Sequence, residues 1–224
     1  MSDQQILINL ADAICSGHEI EKCCGQVAID SDDQLIDELV GHYPGDSRLR
    51  IWENQQCLVT TKRIARLSDF RKSANRSAQK GWPVYVRSTG GTTVVHRPGV
   101  LNVSLAVVSN NSEPRPDESY AEFTKLLVSG LERIGIEATT GSVSGSYCDG
   151  RFNICVAGRK LAGTASRIVR REGKAIHLCH GSLTVYGCPR KDSGLVSHFE
   201  NGLGIDQCLD PTSHVSLIEV LPRF

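Results

Sequence analysis

The chain has 224 residues, enough to bury one sizeable core, and its 40% hydrophobic and 22% charged residues are ordinary for a folded globular protein. Lys and Arg together number 25, as do Asp and Glu, so the net charge gives no general attraction to nucleic acid or to an anionic membrane. The start lacks the basic and apolar regions of a secretory signal, and no apolar run reaches the ~18 residues of a membrane span, so we predict a soluble cytoplasmic protein without nucleic-acid or membrane partners.

Apolar residues at helical spacing predict four helices. In chain order, the first helix carries Ile6, Leu7, Leu10 and Ile14 on one face, and the second follows Asp30–Asp33. The third covers Asp69–Gln79, and the fourth covers Glu118–Arg133. Asp117 is a suitable N-cap for the last helix, and the turn-rich stretch Ser109–Ser119 before it is predicted to be flexible.

Short apolar runs bounded by Gly, Pro and Asp predict strands between these helices. They lie at residues 49–52, 57–60, 83–87, 93–96, 101–108, 136–141, 153–157, 165–169 and 175–180. Helices and hairpins are mixed rather than strictly alternating. This pattern favours an α+β domain with a largely antiparallel sheet over a doubly wound one.

Nine cysteines are many for this length, and their number is odd. A secreted disulfide framework would be shorter and would follow an export signal, so we predict mostly free thiols in a reducing compartment. The cluster His177, Cys179 and His180 is explained by alternation along a strand. Structural zinc sites usually carry paired ligands at turn spacing, so we predict no metal site there.

The first informative stretch, residues 86–104, places two adjacent glycines between two predicted strands. Gly90 and Gly91 let the backbone adopt positive φ and come close to a ligand. The hydroxyls and amides of residues 88–93 can then line a pocket, with Arg87 available for a phosphate or a carboxylate. Taken alone, the glycines are better explained as a plain hairpin turn. The loop is neither a GxGxxG nor a Walker-type motif, so it does not indicate dinucleotide or P-loop phosphate binding.

The second informative stretch resembles a β-hairpin whose turn at Gly158 presents Lys160. Small residues follow the lysine (Ala162, Gly163 and Ala165), so an acyl carbonyl or a phosphate can approach it closely. As a cation, Lys160 would stabilise the negative charge that develops in acyl transfer. A lysine beside a turn is more often simply solvated, so the hairpin alone does not establish a site.

Together the two stretches resemble the catalytic domain of the lipoate–protein ligase and octanoyltransferase family, which is related to biotin ligases. The family's Arg-x-(Ser/Thr)-Gly-Gly…His-x-x-Gly-x-x-Asn-x-Ser signature is matched by Arg87, Thr89, Gly90, Gly91, His96, Gly99, Asn102 and Ser104. Its Gly-Arg-Lys signature is matched by residues 158–165. Residues 180–183 and 213–219 resemble two further segments, so the matches run in order from about residue 49 to the C-terminus.

The resemblance implies a mixed, largely antiparallel sheet flanked by helices, as in biotin ligases and class II aminoacyl-tRNA synthetases. It implies an enzyme that attaches a lipoyl or octanoyl group to a lysine of a lipoyl carrier domain, of the 2-oxoacid dehydrogenase E2 or glycine-cleavage carrier type. In this family the glycine-rich loop contacts the acyl chain and, in the ligases, the adenylate, while the lysine matched by Lys160 holds the acyl carbonyl and the phosphate. The implied binding residues are Arg87, Ser88, Thr89, Gly90, Gly91, Thr92, His96, Asn153, Gly158, Gly163, Thr164 and Ala165.

Departures from the family pattern bear on the substrates. The usual double arginine is Arg87–Ser88 here and the usual third glycine is Thr92; both changes touch the nucleotide end of the pocket and put ATP use in doubt. The chain ends at Phe224, so we expect residues 1–224 to form one catalytic domain without the accessory domain of the longer ligases. The basic loop typical of biotin ligases is not found, which makes biotin the weaker acyl group.

Two mechanisms fit the resemblance. A ligase would join lipoate or octanoate to AMP with ATP and magnesium and then pass the acyl group to lysine; it is slightly favoured, because its motifs are matched over most of the chain. A transferase would take the acyl group from a carrier thioester onto a cysteine and would need no cofactor. A third hypothesis, suggested by Ser88 and Thr92, is a non-catalytic relative that binds lipoyl domains or free acyl groups.

Cys148 is the candidate nucleophile of the transferase. Some family members use a cysteine in the loop just before the Gly-Arg-Lys hairpin, and Cys148 stands twelve residues before Lys160, a somewhat tighter spacing. Lys160 would lower the pKa of the thiol if the two groups approach. The plainer interpretation is a half-buried thiol in a glycine-rich loop.

The remaining candidates have weaker cases. Cys188 is a second possible nucleophile, whereas Cys155 alternates with strand neighbours and is predicted to lie in the core. His96 is better explained as bracing its loop than as a general base. By resemblance Asn153 could orient the loop or a metal-bound phosphate, and Asp149 could assist an amine or magnesium.

Overall fold

A computed structural model describes residues 1–109 and 116–221. The helices are α1 (Asp3–Ile14), α2 (Gly25–Asp37), α3 (Phe70–Gln79), α4 (Pro116–Arg133), α5 (Pro189–Asn201) and α6 (Leu217–Val220). The strands are β1 (Glu21–Cys23), β2 (Ser47–Asn54), β3 (Cys57–Thr61), β4 (Val84–Arg87), β5 (Val94–His96), β6 (Val100–Val108), β7 (Thr139–Thr140), β8 (Ile154–Val156), β9 (Arg159–Arg171) and β10 (Lys174–Thr184). A single 3-10 turn covers Ile64–Arg66.

The strands form two sheets. Seven strands pair in the order β1-β2-β6-β10-β9-β8-β7, and three pair in the order β4-β3-β5. Only β1–β2 and β3–β4 pair in parallel among the named pairs of the described residues. The predicted α+β class with a mixed, largely antiparallel sheet flanked by helices is therefore confirmed.

Side chains that alternate along the central strands divide the core between the two faces of the large sheet. On one face Ile51 and Val103 pack against Leu7 of α1 and Leu127 of α4, all fully buried. On the other face Trp52 packs with α2, α5 and the three-stranded sheet. Helices thus cover one side, and the small sheet with two helices covers the other, so any pocket between the sheets is walled on both sides.

The hairpin of β8 and β9 fixes the backbone of Lys160. Its turn lies at Ala157 and Gly158, both with positive φ (48° and 72°). The Lys160 N–H donates to the Ser213 carbonyl at 2.8 Å, and the Lys160 carbonyl accepts from the Val215 N–H at 2.9 Å. The segment 213–215 therefore holds the backbone of Lys160 in place at the edge of β9.

Several predicted boundaries were wrong. The second helix begins at Gly25 rather than after Asp30–Asp33, because Ala28 and Ile29 continue its buried face and Asp32 lies inside the helix, paired with Arg50. The strand expected at 136–141 is reduced to Thr139–Thr140.

Two features near the C-terminal half differ from the sequence prediction. The strand expected at 165–169 is the middle of a 13-residue strand that starts at Arg159. Helix α5 was not predicted, because its buried residues Val196 and Phe199 are only part of a mostly polar segment. Residues 110–115 of the stretch expected to be flexible lie outside the described residues, and α4 begins at Pro116, two residues earlier than predicted. Within the two described ranges, none of the helices has the length and apolar character needed to cross a lipid bilayer.

Candidate active site

A pocket opens between the large sheet and the small sheet, next to the glycine-rich loop. Side chains from α2 and both sheets give it an apolar floor, formed by Ile29, Trp52, Val59, Val94, Val95 and Leu161. Three predicted site residues, Arg87, Cys148 and Lys160, line the same pocket. The arrangement places a thiol and a cation beside an apolar slot, which suits the carbonyl end of an acyl chain.

Cys148 sits in the loop between β7 and β8 with a backbone φ of 48°, which residues with a Cβ rarely adopt. Its Sγ accepts a hydrogen bond from the Thr92 N–H at 3.3 Å, and the Arg87 Nη2 lies 3.7 Å away. The side chain is half-buried. Strained backbone at a thiol that faces a pocket is a pattern found at functional sites.

The surroundings of Cys148 stabilise its thiolate. Burial, the largest single influence, raises the pKa of the thiol, but the charges of Arg87 and Lys160 and the hydrogen bonds from Thr92 together outweigh it. The pKa of Cys148 is therefore lowered, as the sequence analysis anticipated for a thiol close to Lys160. In contrast, burial raises the pKa of Cys57 and of Cys179 to about 12.

Lys160 is only 3% exposed. Its Nζ donates to the carbonyls of Tyr147 and Cys148, both at 2.7 Å. These two hydrogen bonds fix the backbone of the loop that carries the thiol. The ammonium lies 5.4 Å from the centre of the Tyr147 ring. Burial lowers the pKa of Lys160 to about 8, with the nearby Cys148 acting in the opposite direction. Gly163 makes room for this side chain, since a Cβ there would lie 3.3 Å from the lysine Cε and Nζ.

The glycine-rich loop closes over the thiol. Gly91 has a φ of 99°, and a Cβ at this position would lie 2.8 Å from the Cys148 Sγ and 2.9 Å from the Arg87 Nη2. The buried Arg87 donates to the carbonyls of Gly90 (3.0 Å) and Thr92 (2.8 Å) within its own loop. Its guanidinium therefore shapes the loop, whereas the sequence had suggested it as a free anion ligand.

A chain of polar contacts ties the loop to the large sheet. The Thr89 Oγ1 lies 2.8 Å from the His180 Nε2, and the His180 Nδ1 lies 3.3 Å from the Asp32 carboxylate. Asp32 in turn accepts from the buried Arg50 at 3.0 Å. His180 and Asp32 both line the pocket, so its polar wall is held from α2 through β10 to the loop.

His96 also lines the pocket, and its contacts favour a bracing role. Its Nε2 lies 3.2 Å from the Ser182 Oγ, which itself donates to Asn102 at 2.7 Å. Its ring meets the Trp52 ring edge-on with centroids 5.4 Å apart. Burial, reinforced by Arg87, lowers the pKa of His96 to about 3, so the ring is neutral and a weak base near neutral pH.

Other predicted residues lie at different distances from the pocket. Thr164 and Ala165 line it together with Gly163. The Ser88 Oγ donates to Asp33 at 3.1 Å, on the α2 side of the loop. Asn153 donates to Asp149 at 3.0 Å and so braces the part of the loop that directly follows Cys148.

Gly158 forms the exposed hairpin turn and is not part of the pocket lining. Cys188 is exposed at the start of α5, in a separate groove, whereas Cys155 is buried as predicted. Among the described residues, no group of three or more His, Cys, Asp or Glu side chains is arranged to hold a metal ion.

Several pocket residues were not singled out from the sequence. Tyr147 and His214 stack with ring centroids 4.2 Å apart, one beside the thiol and one beside Lys160. The position of Tyr147 directly before Cys148 was a usable signal. Asp32 was read as part of an acidic helix start, and nothing in the local sequence separates this buried carboxylate from its exposed neighbours.

Residues 25–200 match the family described as the lipoyl protein ligase A/B catalytic domain. The chain belongs to this family. The match covers well over half of the chain and includes both the glycine-rich loop and the Lys160 hairpin. The family predicted from these two stretches is confirmed.

Two curated relatives of this chain carry the name octanoyl-GcvH:protein N-octanoyltransferase. The protein of Kyrpidia tusciae is 33% identical over 162 residues, which cover 69% of this chain and 56% of that protein. The protein of Anoxybacillus flavithermus is 29% identical over 198 residues, which cover 85% of this chain and 70% of that protein. The chain thus spans little more than half the length of the Kyrpidia protein.

Solved structures show the same fold. A lipoate–protein ligase A bound with ATP superposes with a TM-score of 0.72 at 14% identity, over 92% of this chain and 77% of that one. The bipartite lipoate protein ligase of Thermoplasma acidophilum gives a TM-score of 0.62 at 14% identity, over 92% and 78% of the two chains. Identities this low establish the fold alone, and the predicted biotin ligase and class II synthetase-like architecture is confirmed.

Proposed function

We propose that this protein transfers an octanoyl or lipoyl group to a lysine of a lipoyl carrier domain through a thioester on Cys148. The observation that carries the proposal is the setting of the thiol, which has a lowered pKa, a Thr92 N–H donor and a neighbouring cation beside an apolar slot. The names of the curated relatives support acyl transfer from one protein to another.

In the first step the Cys148 thiolate attacks the acyl carbonyl of the donor. A carbon–sulfur bond forms, the bond to the donor's leaving group breaks, and the leaving thiolate or amine nitrogen takes up one proton from solvent. The charge on the carbonyl oxygen develops next to Lys160, and a fixed cation in a half-closed pocket stabilises it strongly. Two of the lysine's three N–H donors are used by the backbone carbonyls, and one remains for this oxygen.

In the second step the neutral amine of the acceptor lysine attacks the thioester. The amide bond forms, the amine loses a proton to solvent, and Cys148 leaves as the thiolate that starts the next cycle. The same groups that lower the pKa of the thiol make it a good leaving group. The apolar floor of the pocket would hold the acyl chain during both steps.

A ligase that forms an acyl-adenylate is the second candidate. It is supported by the fold shared with a lipoate–protein ligase A bound with ATP and by the buried cation of Lys160. Against it stands Arg87, whose Nε and Nη2 are already engaged by carbonyls of its own loop. A nucleotide phosphate would have to compete with these internal hydrogen bonds. If ATP and magnesium are used, Lys160 is the described cation best placed to meet the phosphate.

The intact mass of an apo lipoyl domain separates these candidates. The enzyme is incubated either with an octanoylated carrier donor without ATP, or with free octanoate, ATP and magnesium. We expect a mass gain from the carrier donor alone, together with one octanoyl adduct on the enzyme. Cys148→Ala should abolish both signals, with a rate loss of about 10³-fold or more.

Cys188→Ala is the matched control, because it removes an exposed thiol from a separate groove and should leave the rate unchanged. A gain that needs ATP and survives Cys148→Ala would overturn the transferase in favour of the ligase. No gain under either condition with several carriers would favour a protein that only binds acyl groups or lipoyl domains.

A further inference from the structure

The surface formed by residues 62–80 is predominantly positively charged. This segment contains seven basic side chains and one carboxylate, that of Asp69. The basic residues are Lys62, Arg63, Arg66, Arg71, Lys72, Arg76 and Lys80. All seven are exposed on the turn after β3 and on α3, and we call them the basic face. Because the whole chain is neutral, this concentration is local, and the rest of the chain is net acidic.

In the described part of the chain, the basic face is not neutralised by ion pairs, and the Lys80 Nζ lies 2.8 Å from the His198 Nε2 rather than from a carboxylate. None of the ion pairs found among the described residues includes any of the seven cations. Lys72, Arg76 and Lys80 follow one another at intervals of four, so they form a single row at α3, and like charges at this spacing destabilise a helix. Leu67 adds a partly exposed apolar side chain (38%) to the same surface. The repulsion between the positive charges of this row is relieved when an acidic surface covers them.

Two structural links connect the basic face to the mouth of the pocket. Thr61, directly before Lys62, is the register partner of Arg87, the residue whose guanidinium approaches the Cys148 thiol. The N–H of Thr92 points to that thiol, and the N–H of the next residue, Thr93, donates to Glu200 at 3.0 Å.

Burial raises the pKa of the Glu200 carboxylate, while the hydrogen bonds from Thr93 and the charge of Arg63, near the start of the basic face, act in the opposite direction. The basic face therefore begins beside the glycine-rich loop and extends away from it along α3. A partner that covers the start of the basic face would lie next to the glycine-rich loop, which borders the pocket.

We propose that the basic face docks an acidic surface of the carrier domain that exchanges its acyl group with Cys148. This inference rests on the proposed function, because a carrier lysine must enter the pocket while its domain remains outside. The partner is a protein with carboxylates flanking that lysine. Such charges raise the rate of productive encounter and orient the two surfaces, and they act through association rather than through the chemical step.

Charge reversal tests the docking. Lys72→Glu combined with Arg76→Glu changes the charge by four units on an exposed helical row and disturbs no buried contact. The probe is an apo lipoyl domain with Asp and Glu around its acceptor lysine. We expect kcat/KM for transfer to fall at least about tenfold at low salt. The loss should shrink in 0.5 M NaCl, because salt screens exposed charges.

The matched control is Arg170→Glu combined with Arg171→Glu. These exposed arginines make the same charge change at the far end of β9, about 20 Å along the strand from Ala165 at the pocket. The control should transfer at the wild-type rate. A second control uses a small neutral octanoyl thioester, which should acylate Cys148 equally well in the wild type and in both double variants.

The outcomes separate this inference from the proposed function. Wild-type acylation of Cys148 together with undiminished carrier transfer by the Lys72/Arg76 variant would overturn the docking and leave the transferase standing. If Cys148 is never acylated, the transferase fails, and direct titration of a fluorescent apo lipoyl domain still decides the docking. If the Lys72/Arg76 variant lost binding to a short DNA duplex but still bound the carrier domain as tightly as the wild type, the docking proposal would also be overturned.

Discussion

The two sheets contribute to the pocket in different ways. The seven-stranded sheet supplies Lys160, whose backbone N–H and carbonyl both bond to the segment 213–215 and whose side chain is buried. The three-stranded sheet supplies a loop with two exposed glycines, which reaches Cys148 through a backbone N–H and the Arg87 guanidinium. The large sheet therefore provides a charge at a fixed point, and the small sheet provides the shape around it. Changes in the two regions should have different consequences for the proposed acyl transfer.

The largest expected effect comes from the large sheet. Lys160→Met keeps the length of the side chain but removes the cation, so transfer should fall about 10²- to 10³-fold. Because Lys160 helps lower the pKa of Cys148, the midpoint of thiol alkylation should move to higher pH in this variant. In the wild type, transfer should decline as pH rises through about 8 and Lys160 loses its proton. Alkylation and transfer are measured across pH, and wild-type behaviour of the variant in both would contradict the assigned role.

A smaller effect is expected from the small sheet, where geometry rather than charge is at stake. Gly91→Ala places a methyl group 2.8 Å from the Cys148 Sγ, whereas Gly158→Ala meets no atom within 4 Å. Both glycines have positive φ, so each variant should lose a similar ~1–2 kcal/mol of stability. Only Gly91→Ala should also lose transfer, by about tenfold or more, because it displaces the thiol. Urea unfolding and initial rates check this pair, and equal losses of transfer would argue against a role for the loop in placing the thiol.

The smallest effect should come from the link between the two regions. Thr89→Val removes the hydroxyl that contacts the His180 Nε2 and leaves the shape of the side chain nearly unchanged. The free energy of unfolding should drop by about 1 kcal/mol, with a few-fold loss of transfer. A loss as large as that of Lys160→Met would mean that His180 participates in the chemistry instead of bracing the pocket wall. Ser88→Ala, on the α2 side of the same loop, serves as the comparison.

The local patterns of the sequence predicted the elements better than the contacts between them. The hairpin that presents Lys160 follows from Gly158 and the alternation of β8 and β9, and the family follows from two short signatures. The predicted start of helix α2 was too late in the chain, because Asp32 is of a residue type that usually lies at the surface. Its burial depends on Arg50, 18 positions away in the chain, and no local pattern shows this pairing.

The sequence named residues that the structure brings together at the candidate pocket, but not how they contact one another there. Arg87, Cys148 and Lys160 were named from the sequence, yet the sequence assigned the Arg87 guanidinium to a ligand while it binds its own loop. The lowered pKa of Cys148 arises from groups on two separate segments, Arg87 and Thr92 on one and Lys160 on the other. Balances of this kind depend on distances of a few ångströms, which spacing along a chain does not determine.

The left-handed backbone of Cys148 sets stability against the proposed acyl transfer at this position. Glycine, and to a lesser degree asparagine, adopts this conformation more readily than a residue with a larger side chain, so either would relax the loop. A selection for heat resistance alone would therefore tend to replace the thiol and enrich well-folded proteins that lack the proposed nucleophile. Directed evolution of this protein toward the proposed function needs a screen for acyl transfer in every round, because at residue 148 the more durable variant is the one without the thiol.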